Sequence, residues 1–235
     1  MSKQTDWDRE EWLDSAKRLI EWVNTTHADQ SIMLLIRHSH REKIVHVEEI
    51  ASKGLTELGK NMSLEMGLRF PTDCKVQFWF SFISRCYETA EAMAAGFAQQ
   101  GGEVIDMDPL PALVGPHVID PEVWRELQPD GKNVTDFVNR WVEGGFGDRM
   151  ESFDIYKSRL VDDTVKKLIS LEEPTIHIHV THDLAMMAVK RMIFRRPLVN
   201  EDREPYLGGL GVIVDGSYAL FFTGDMAHPV RLNIV

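Results

Sequence analysis

The sequence lacks long apolar runs, has few cysteines and has no basic block. These are the features that would anchor a chain in a membrane, cross-link it or bind it to nucleic acid. It has two cysteines, Cys74 and Cys86, without metal-ligand spacing, so we expect reduced thiols in a cytoplasmic protein. No apolar run approaches the roughly 20 residues of a membrane helix, and the polar N-terminal residues do not resemble a signal peptide. The net charge is −11 and the sequence has no Lys/Arg-rich block, which argues against nucleic acid as a partner.

What is present is a balanced composition and an alternation of strand and helix patterns. The 235 residues are 43% hydrophobic, enough for a sizeable core. The pattern predicts an α/β fold, a three-layer α/β/α sandwich with a mainly parallel central sheet and a C-terminal hairpin at Asp215-Gly216. The predicted helices are 6–27, 55–70, 85–100, 151–172 and 183–195; the predicted strands are 31–36, 75–84, 103–108 and 175–180.

The chain divides into two unequal parts in this interpretation. Residues 1–30 form an N-terminal helix that packs on the core, and residues 31–235 form the α/β domain. Residues 109–150 interrupt that domain with five prolines and two short helical pieces, near 121–128 and 134–143. We expect an inserted cap region over one end of the sheet.

Three of the predicted strands end in polar, reactive side chains. The first ends in the stretch 37–41, "RHSHR", the second runs into Arg85, and the third ends in "THD" at 181–183. The carboxyl ends of parallel strands meet at one edge of a sheet, where ligands bind. The sequence therefore predicts two imidazoles, three guanidinium groups and a carboxylate around one point.

This combination favours phosphoryl transfer. Guanidinium groups bind phosphate oxygens through paired hydrogen bonds. A histidine among arginines keeps a neutral nitrogen, because neighbouring cations lower its pKa. Such a nitrogen can attack phosphorus, while a carboxyl group beside the leaving oxygen donates the proton.

Four motifs in order resemble the histidine phosphatase superfamily, whose fold is phosphoglycerate-mutase-like. "LLIRHSHRE" at 34–42 resembles its Arg-His-Gly motif, and "LTELG" at 55–59 its Leu-Thr-x-x-Gly helix start. "SFISRCYETAE" at 81–91 resembles its second arginine segment, and "VTHD" at 180–183 its second histidine. The resemblance spans residues 31–222.

The resemblance implies a role for each matching residue. His38 is the implied phosphorylated nucleophile, and Arg37, Arg85 and His182 are the implied phosphoryl ligands. Ser39 departs from the motif, because the family has glycine at that position. No cofactor is implied.

Two further residues resemble the acid-phosphatase branch of that superfamily. Arg41 occupies the last position of its Arg-His-Gly-x-Arg motif, and Asp183 occupies the position of its proton donor. The glutamate that the mutase-like branch carries after the third strand is missing from "MDPLPALVGPHVID" at 107–120. Reserve candidates for the acid are Asp108, Asp120 and Glu122.

Other histidines and one arginine are weaker candidates. His40, His117 and Arg125 are predicted substrate contacts, although each is more often a loop or structural residue. His177 and His179 form a His-x-His pair on one strand face, a pattern that metal hydrolases use. Packing is favoured over metal ligation there, because three nearby arginines would repel a divalent cation, so we expect no metal site.

The sequence thus predicts a metal-independent phosphomonoester hydrolase that acts through a phosphohistidine on a small phosphorylated molecule. The alternatives are a phosphoryl-transferring mutase, a phospholigand-binding protein without turnover, and a metal hydrolase. The substrate and the oligomeric state are beyond the sequence.

Overall fold

A computed structural model describes residues 6–26, 30–46, 49–127, 129–170, 173–224 and 230–233. Its centre is one seven-stranded sheet with the strand order β3-β2-β4-β1-β5-β6-β7. The first four strands in that order run parallel, and β5 to β7 extend the sheet with antiparallel pairing. The strands are β1 (Ile32–Arg37), β2 (Lys75–Phe80), β3 (Glu103–Pro109), β4 (Thr175–Thr181), β5 (Gly209–Asp215), β6 (Tyr218–Phe222) and β7 (Val230–Asn233).

Helices cover both faces of this sheet, so the predicted three-layer sandwich is confirmed. Strand β1 is buried along its whole length, since Leu34 packs into the core cluster on one face and Leu35 into the cluster on the other. The first cluster includes α2 to α4, and the second includes α6 to α8. The helices are α1 (Asp6–Arg9), α2 (Asp14–Thr26), α3 (Glu57–Gly67), α4 (Ser84–Gln99), α5 (Glu122–Glu126), α6 (Val134–Val142), α7 (Phe153–Asp163) and α8 (Asp183–Phe194).

The C-terminal hairpin is confirmed and a further strand follows it. Gly216 adopts φ 57°, the left-handed conformation that a tight two-residue turn needs, between paired Asp215 and Tyr218. Strand β7 pairs with β6 and was not predicted.

Two predicted helices are shorter than expected. The helix predicted over 6–27 is broken at Glu10, which has extended backbone between α1 and a 3-10 turn that leads into α2. The helix predicted over 151–172 stops at Thr164, whose buried hydroxyl donates to the Leu160 carbonyl at 2.6 Å. Thr164 leaves the helical region, and the 3-10 segment Val165–Ser170 follows. Sequence periodicity does not report such local breaks.

Residues 110–150 lie between β3 and α7 and hold α5 and α6. Their apolar side chains, Val123 and Val138 among them, join the core cluster of α7 and α8. Asp130 adopts φ 61°, a conformation that non-glycine residues seldom take, at the turn before α6. Among the described helices, none is long and apolar enough to cross a membrane.

Candidate active site

The carboxyl ends of β1, β2 and β4 meet at one level of the sheet. Arg37 is in register with Thr181, and Phe80 with Val180. The ladder continues one residue further, because the His38 N–H donates to the Thr181 carbonyl at 2.8 Å. The loops that follow the three strands therefore begin side by side, as the sequence predicted.

Arg85 connects two imidazoles at this edge. The rings of His38 and His182 have centroids 5.5 Å apart. Arg85, on the first turn of α4, places Nε 3.2 Å from His38 Nε2 and Nη2 3.0 Å from His182 Nδ1. A guanidinium group only donates, so both ring nitrogens accept.

The protonation of His38 follows from its neighbours. Its Nδ1 lies 2.9 Å from the Ser39 carbonyl, which can only accept, so Nδ1 carries the ring proton and Nε2 is the unprotonated nitrogen that accepts from Arg85. Burial lowers the pKa of His38 well below 6.5, and the charges of Arg85, His182 and Arg37 lower it further. His38 is therefore a neutral imidazole at physiological pH, with Nε2 available for attack.

His182 uses the other ring nitrogen to accept a hydrogen bond from Arg85. Its Nε2 lies 2.8 Å from the Ser81 hydroxyl, while Nδ1 accepts from Arg85. Burial also lowers the pKa of His182 well below 6.5, with a further contribution from Arg85. The thiol of Cys86 lies 3.5 Å from His182 Nε2. Burial raises the pKa of this thiol to about 12, so the thiol stays protonated.

Ser39 fits the position where the resembled motif has glycine. Its backbone lies outside the left-handed region, so no conformation restricted to glycine is needed. The Ser39 N–H donates to the Thr89 hydroxyl at 3.0 Å, and the Ser39 hydroxyl donates to the Gly59 carbonyl at 2.8 Å. Gly59 itself is required, because a Cβ there would lie 1.9 Å from the His40 carbonyl oxygen. The loop after His38 is thus fixed by contacts with α3 and α4.

Arg37, at the end of β1, and Arg41, in the loop after it, are already paired with carboxylates. Arg37 donates to the Glu204 carbonyl at 2.7 Å and to Asp183 Oδ2 at 3.3 Å. Arg41 donates to Asp130 Oδ1 at 3.0 Å, rather than to the carboxylate of Glu42. Both guanidinium groups are buried, so an arriving anion competes with these carboxylates for them.

Asp183 begins α8 and lies between two cations. Its Oδ2 accepts from Arg203 at 2.5 Å as well as from Arg37, and its Oδ1 accepts from the Leu184 N–H at 3.0 Å. Burial acts to raise the pKa of Asp183, but Arg37 and Arg203 outweigh that effect and hold the pKa below its usual value. Asp183 is ionised in this arrangement.

These groups form the floor of a cleft. A cavity of about 360 Å³ opens above the side chains of Arg37, His38, Arg41, Arg85 and Asp183. A second cavity of about 440 Å³ adjoins it and shares Arg85 and Asp183 as lining residues. Each volume lies within the range of small-molecule sites. The cleft can therefore receive an anion at its floor and a larger group above it.

The remaining sequence candidates divide between the cleft and other places. Arg125 lines both cavities, and Glu122 lines the second. His40 lines a neighbouring cavity of about 660 Å³, which shares Arg37 and Arg41 with the first cavity, and its Nδ1 lies 2.8 Å from the Thr56 hydroxyl. His117 is exposed and lines none of the described cavities, so the structure does not bring it into the cleft.

The two aspartates held in reserve are engaged outside the cleft. Asp108 lies near Gln77, whose Nε2 donates to it at 3.3 Å, and Asp120 pairs with Arg149 at 2.9 Å. Neither lines the cavities above His38. Glu122 is the one reserve carboxylate that reaches the cleft.

Sequence reasoning missed several residues that shape the site. Asp130 and Arg203 hold Arg41 and Asp183, and Arg203 also donates to the Asp130 carbonyl at 2.8 Å. The Arg37 guanidinium lies over the Tyr206 ring, with Cζ of Arg37 4.5 Å from the ring centroid. The Asp130-Gly131 pair marks a turn in the sequence, but nothing marks Arg203 or Tyr206 as neighbours of His38.

His177 and His179 pack within the fold, which is the alternative that the sequence analysis favours over metal ligation. Both are buried on β4, and the indole of Trp79 donates to His177 Nδ1 at 3.3 Å and stacks on His179. Burial lowers the pKa of His177 to about 4 and that of His179 to about 3. Within the described ranges, no group of three or more His, Cys, Asp or Glu side chains could hold a metal ion.

Comparison with known proteins relates this architecture to solved structures. No protein-family model matches the sequence, and neither does any curated protein. A phosphoglycerate mutase from Bacillus anthracis is 13% identical, with 86% of this chain and 96% of that chain covered and a TM-score of 0.56. Bacillus stearothermophilus YhfR is 22% identical over 79% of this chain and 92% of that chain, with a TM-score of 0.54. A phosphoserine phosphatase mutant from Entamoeba histolytica, solved with phosphoserine, is 16% identical over 82% and 95%, with a TM-score of 0.51. At these identities the likeness shows a shared fold.

Proposed function

We propose that this chain, which has the fold of the histidine phosphatase superfamily, is a phosphomonoester hydrolase that needs no metal ion and works through a phosphohistidine. One observation carries the proposal. His38, whose Nε2 is unprotonated, lines the floor of a cleft next to a second imidazole and three buried guanidinium groups. This is the arrangement that a nucleophilic nitrogen and a trigonal phosphoryl group require.

Substrate binding replaces the carboxylates that hold the arginines. The phosphoryl oxygens accept from Arg37, Arg41 and Arg85, whose paired donors match phosphate geometry. Arg85 releases Nε2 of His38 as its N–H groups turn to the phosphoryl oxygens. The charge that develops in the loose transition state meets donors already in position, so little reorganisation is needed.

The first chemical step transfers the phosphoryl group to His38. The Nε2 lone pair attacks phosphorus, the bond from phosphorus to the alcohol oxygen breaks, and that oxygen takes a proton from Asp183. A bound phosphate dianion draws the positive charge of Arg37 and adds negative charge nearby, so it raises the pKa of Asp183. Asp183 can thus be protonated in the complex although it is ionised without substrate.

The second step returns the site to its starting state. A water molecule attacks phosphorus and gives a proton to Asp183, while the N–P bond breaks and its electron pair returns to Nε2 of His38. Inorganic phosphate leaves, Asp183 releases its proton to solvent as its pKa falls again, and Arg37 and Arg41 regain their carboxylate partners.

The nucleophile is tested with His38→Ala and a matched control. We expect the turnover of p-nitrophenyl phosphate to fall by roughly four orders of magnitude, the size expected for a group that acts in a concerted set. His117→Ala, an exposed histidine away from the cleft, should keep the wild-type rate. EDTA should leave turnover unchanged, and quenching in alkaline detergent should trap a phosphoryl label on the protein that is stable in base, labile in acid and absent from His38→Ala. Wild-type turnover in His38→Ala, or loss of turnover in EDTA, would contradict the proposal.

The proton donor is tested through the leaving group. Asp183→Asn should slow alkyl phosphates, whose alkoxides leave poorly, far more than p-nitrophenyl phosphate, whose phenolate needs little protonation. Glu122→Gln is the comparison, because Glu122 is the other carboxylate in the cleft. A leaving-group dependence that changes in Glu122→Gln and not in Asp183→Asn would assign the acid to Glu122.

A mutase outcome remains the second candidate, since the same pocket can return the phosphoryl group to an alcohol instead of water. The two outcomes differ in product. Stoichiometric release of inorganic phosphate supports hydrolysis, whereas an isomerised phosphate ester without free phosphate supports the mutase.

A further inference from the structure

The walls of the cleft are chemically unlike its floor. The floor carries the imidazole, guanidinium and carboxylate groups that face the phosphoryl position. The walls above it are mainly aliphatic and aromatic and come from four chain segments: the loop after β1, the start of α4, residues 114–127 around α5 and the start of α8. The apolar wall residues are Ile44, Val45, Ile50, Ile83, Val114, Pro121, Trp124, Leu127 and Leu184.

The polar side chains that reach these walls are mostly paired with one another. Arg125 and Glu122 form an ion pair with a shortest N–O distance of 2.7 Å, and the Asp130 carboxylate accepts from Arg41 and from the Ile44 N–H. His46 is the other polar wall residue in the described part of the chain. Hydroxyl groups of a sugar placed here would lose water without gaining matched partners, which disfavours a polar alcohol.

Space and shape suit a bulky apolar group. The second cavity, about 440 Å³, is lined by His182 and Asp183 but not by His38, Arg37 or Arg41. Trp124, half-buried on α5, lines both cavities and thus flanks the path from one to the other. A leaving alcohol attached to phosphorus at the floor would lie against this indole.

We propose that the substrate is a phosphate monoester with a large apolar alcohol, aryl or alkyl, and that Trp124 determines this preference. The inference rests on the proposed hydrolase function and adds the chemical class of its substrate. Burial of the apolar group supplies binding that is non-directional and proportional to the area removed from water. Each methylene group that enters the cleft raises kcat/KM by about fourfold.

Two substrate series separate apolar binding from chemical reactivity. Primary n-alkyl phosphates from butyl to octyl have leaving alcohols of nearly equal acidity, so their kcat/KM values report contact with the walls. Phenyl and 1-naphthyl phosphate form the aryl arm, and glucose 6-phosphate and 3-phosphoglycerate form the polar arm. We expect kcat/KM to rise along both apolar series and to exceed the polar arm by at least about a hundredfold for octyl or naphthyl phosphate.

The wall is tested with Trp124→Ala and a control from the same segment. Trp124→Ala should lower kcat/KM for octyl and naphthyl phosphate by at least about tenfold and leave butyl phosphate within about threefold. Trp124→Phe should recover most of the loss, which shows that a folding defect is not its cause. Ile119→Ala, which removes an exposed side chain outside the cleft, should change nothing.

The outcomes distinguish this inference from the hydrolase proposal. Release of phosphate that depends on His38, with a flat alkyl series or a preference for the polar esters, would overturn the apolar substrate class and leave the hydrolase intact. A rising series that is unchanged in Trp124→Ala would overturn the role of Trp124. Folded protein that releases phosphate from no arm would overturn both proposals.

Discussion

The buried His-x-His pair on β4 predicts how the stability of the fold depends on pH. His177 and His179 are neutral in the folded protein, with pKa values of about 4 and about 3 because of their burial. In the unfolded chain each returns to a pKa of 6.5 and binds a proton more readily. The folded state is therefore at full stability above about pH 6.5 and loses stability as pH falls toward the folded pKa values.

The size of this loss follows from the linkage between proton binding and folding. Within that window each histidine lowers the free energy of unfolding by about 1.4 kcal/mol per pH unit as pH falls. Between about pH 7 and about pH 5, the partial titration near 6.5 reduces this to about 2 kcal/mol for each, or about 4 kcal/mol for the pair. Such a loss is a large share of the 5–15 kcal/mol that stabilises a typical domain.

The assay is urea denaturation of wild type and His177→Gln at both pH values. Glutamine does not titrate, and its amide oxygen can still accept from the Trp79 indole. The variant should lose about 2 kcal/mol less than wild type between about pH 7 and about pH 5, whatever its stability at the higher pH. Equal losses in His177→Gln and wild type would refute the reasoning.

Three further predictions concern the loop after His38 and two residues that contact it. Gly59→Ala places a methyl carbon 1.9 Å from the His40 carbonyl oxygen, so we expect a lower melting temperature in calorimetry and at least about tenfold slower phosphate release. Asp130→Asn removes the carboxylate charge that competes for Arg41, so the inhibition constant for inorganic phosphate should fall by about fivefold in a product-inhibition assay. Ser39→Gly loses the hydrogen bond to Gly59 and gains chain freedom, so urea denaturation should show a loss of about 1–2 kcal/mol while turnover is retained.

The fold follows from the sequence wherever the pattern is periodic or a turn residue is specific. Apolar runs such as 32–36 identify buried strands, and Asp215-Gly216 identifies the hairpin. Breaks within helices are different, because they depend on single contacts. The hydroxyl of Thr164 ends α7 by bonding to Leu160, and no periodic pattern signals that choice.

The candidate site could be located but not completed. His38 and His182 are predictable as neighbours because each directly follows a strand of the parallel sheet, where position is fixed by register, and Arg85 lies on the helix that begins four residues after β2. Asp130 and Arg203 come from loops remote in sequence, and their contacts depend on loop conformations that no motif encodes. The same limit applies to His117, because no motif encodes the path of the loop that carries it.

The thiol beside the second imidazole has a consequence for redox chemistry. Cys86 lies 3.5 Å from His182 Nε2, yet burial holds its pKa near 12, so the thiolate that peroxide attacks is almost absent. Under the proposed mechanism the nucleophile is the nitrogen of His38, so phosphate release does not depend on this thiol. We expect phosphate release to persist at peroxide concentrations that inactivate hydrolases dependent on a cysteine thiolate.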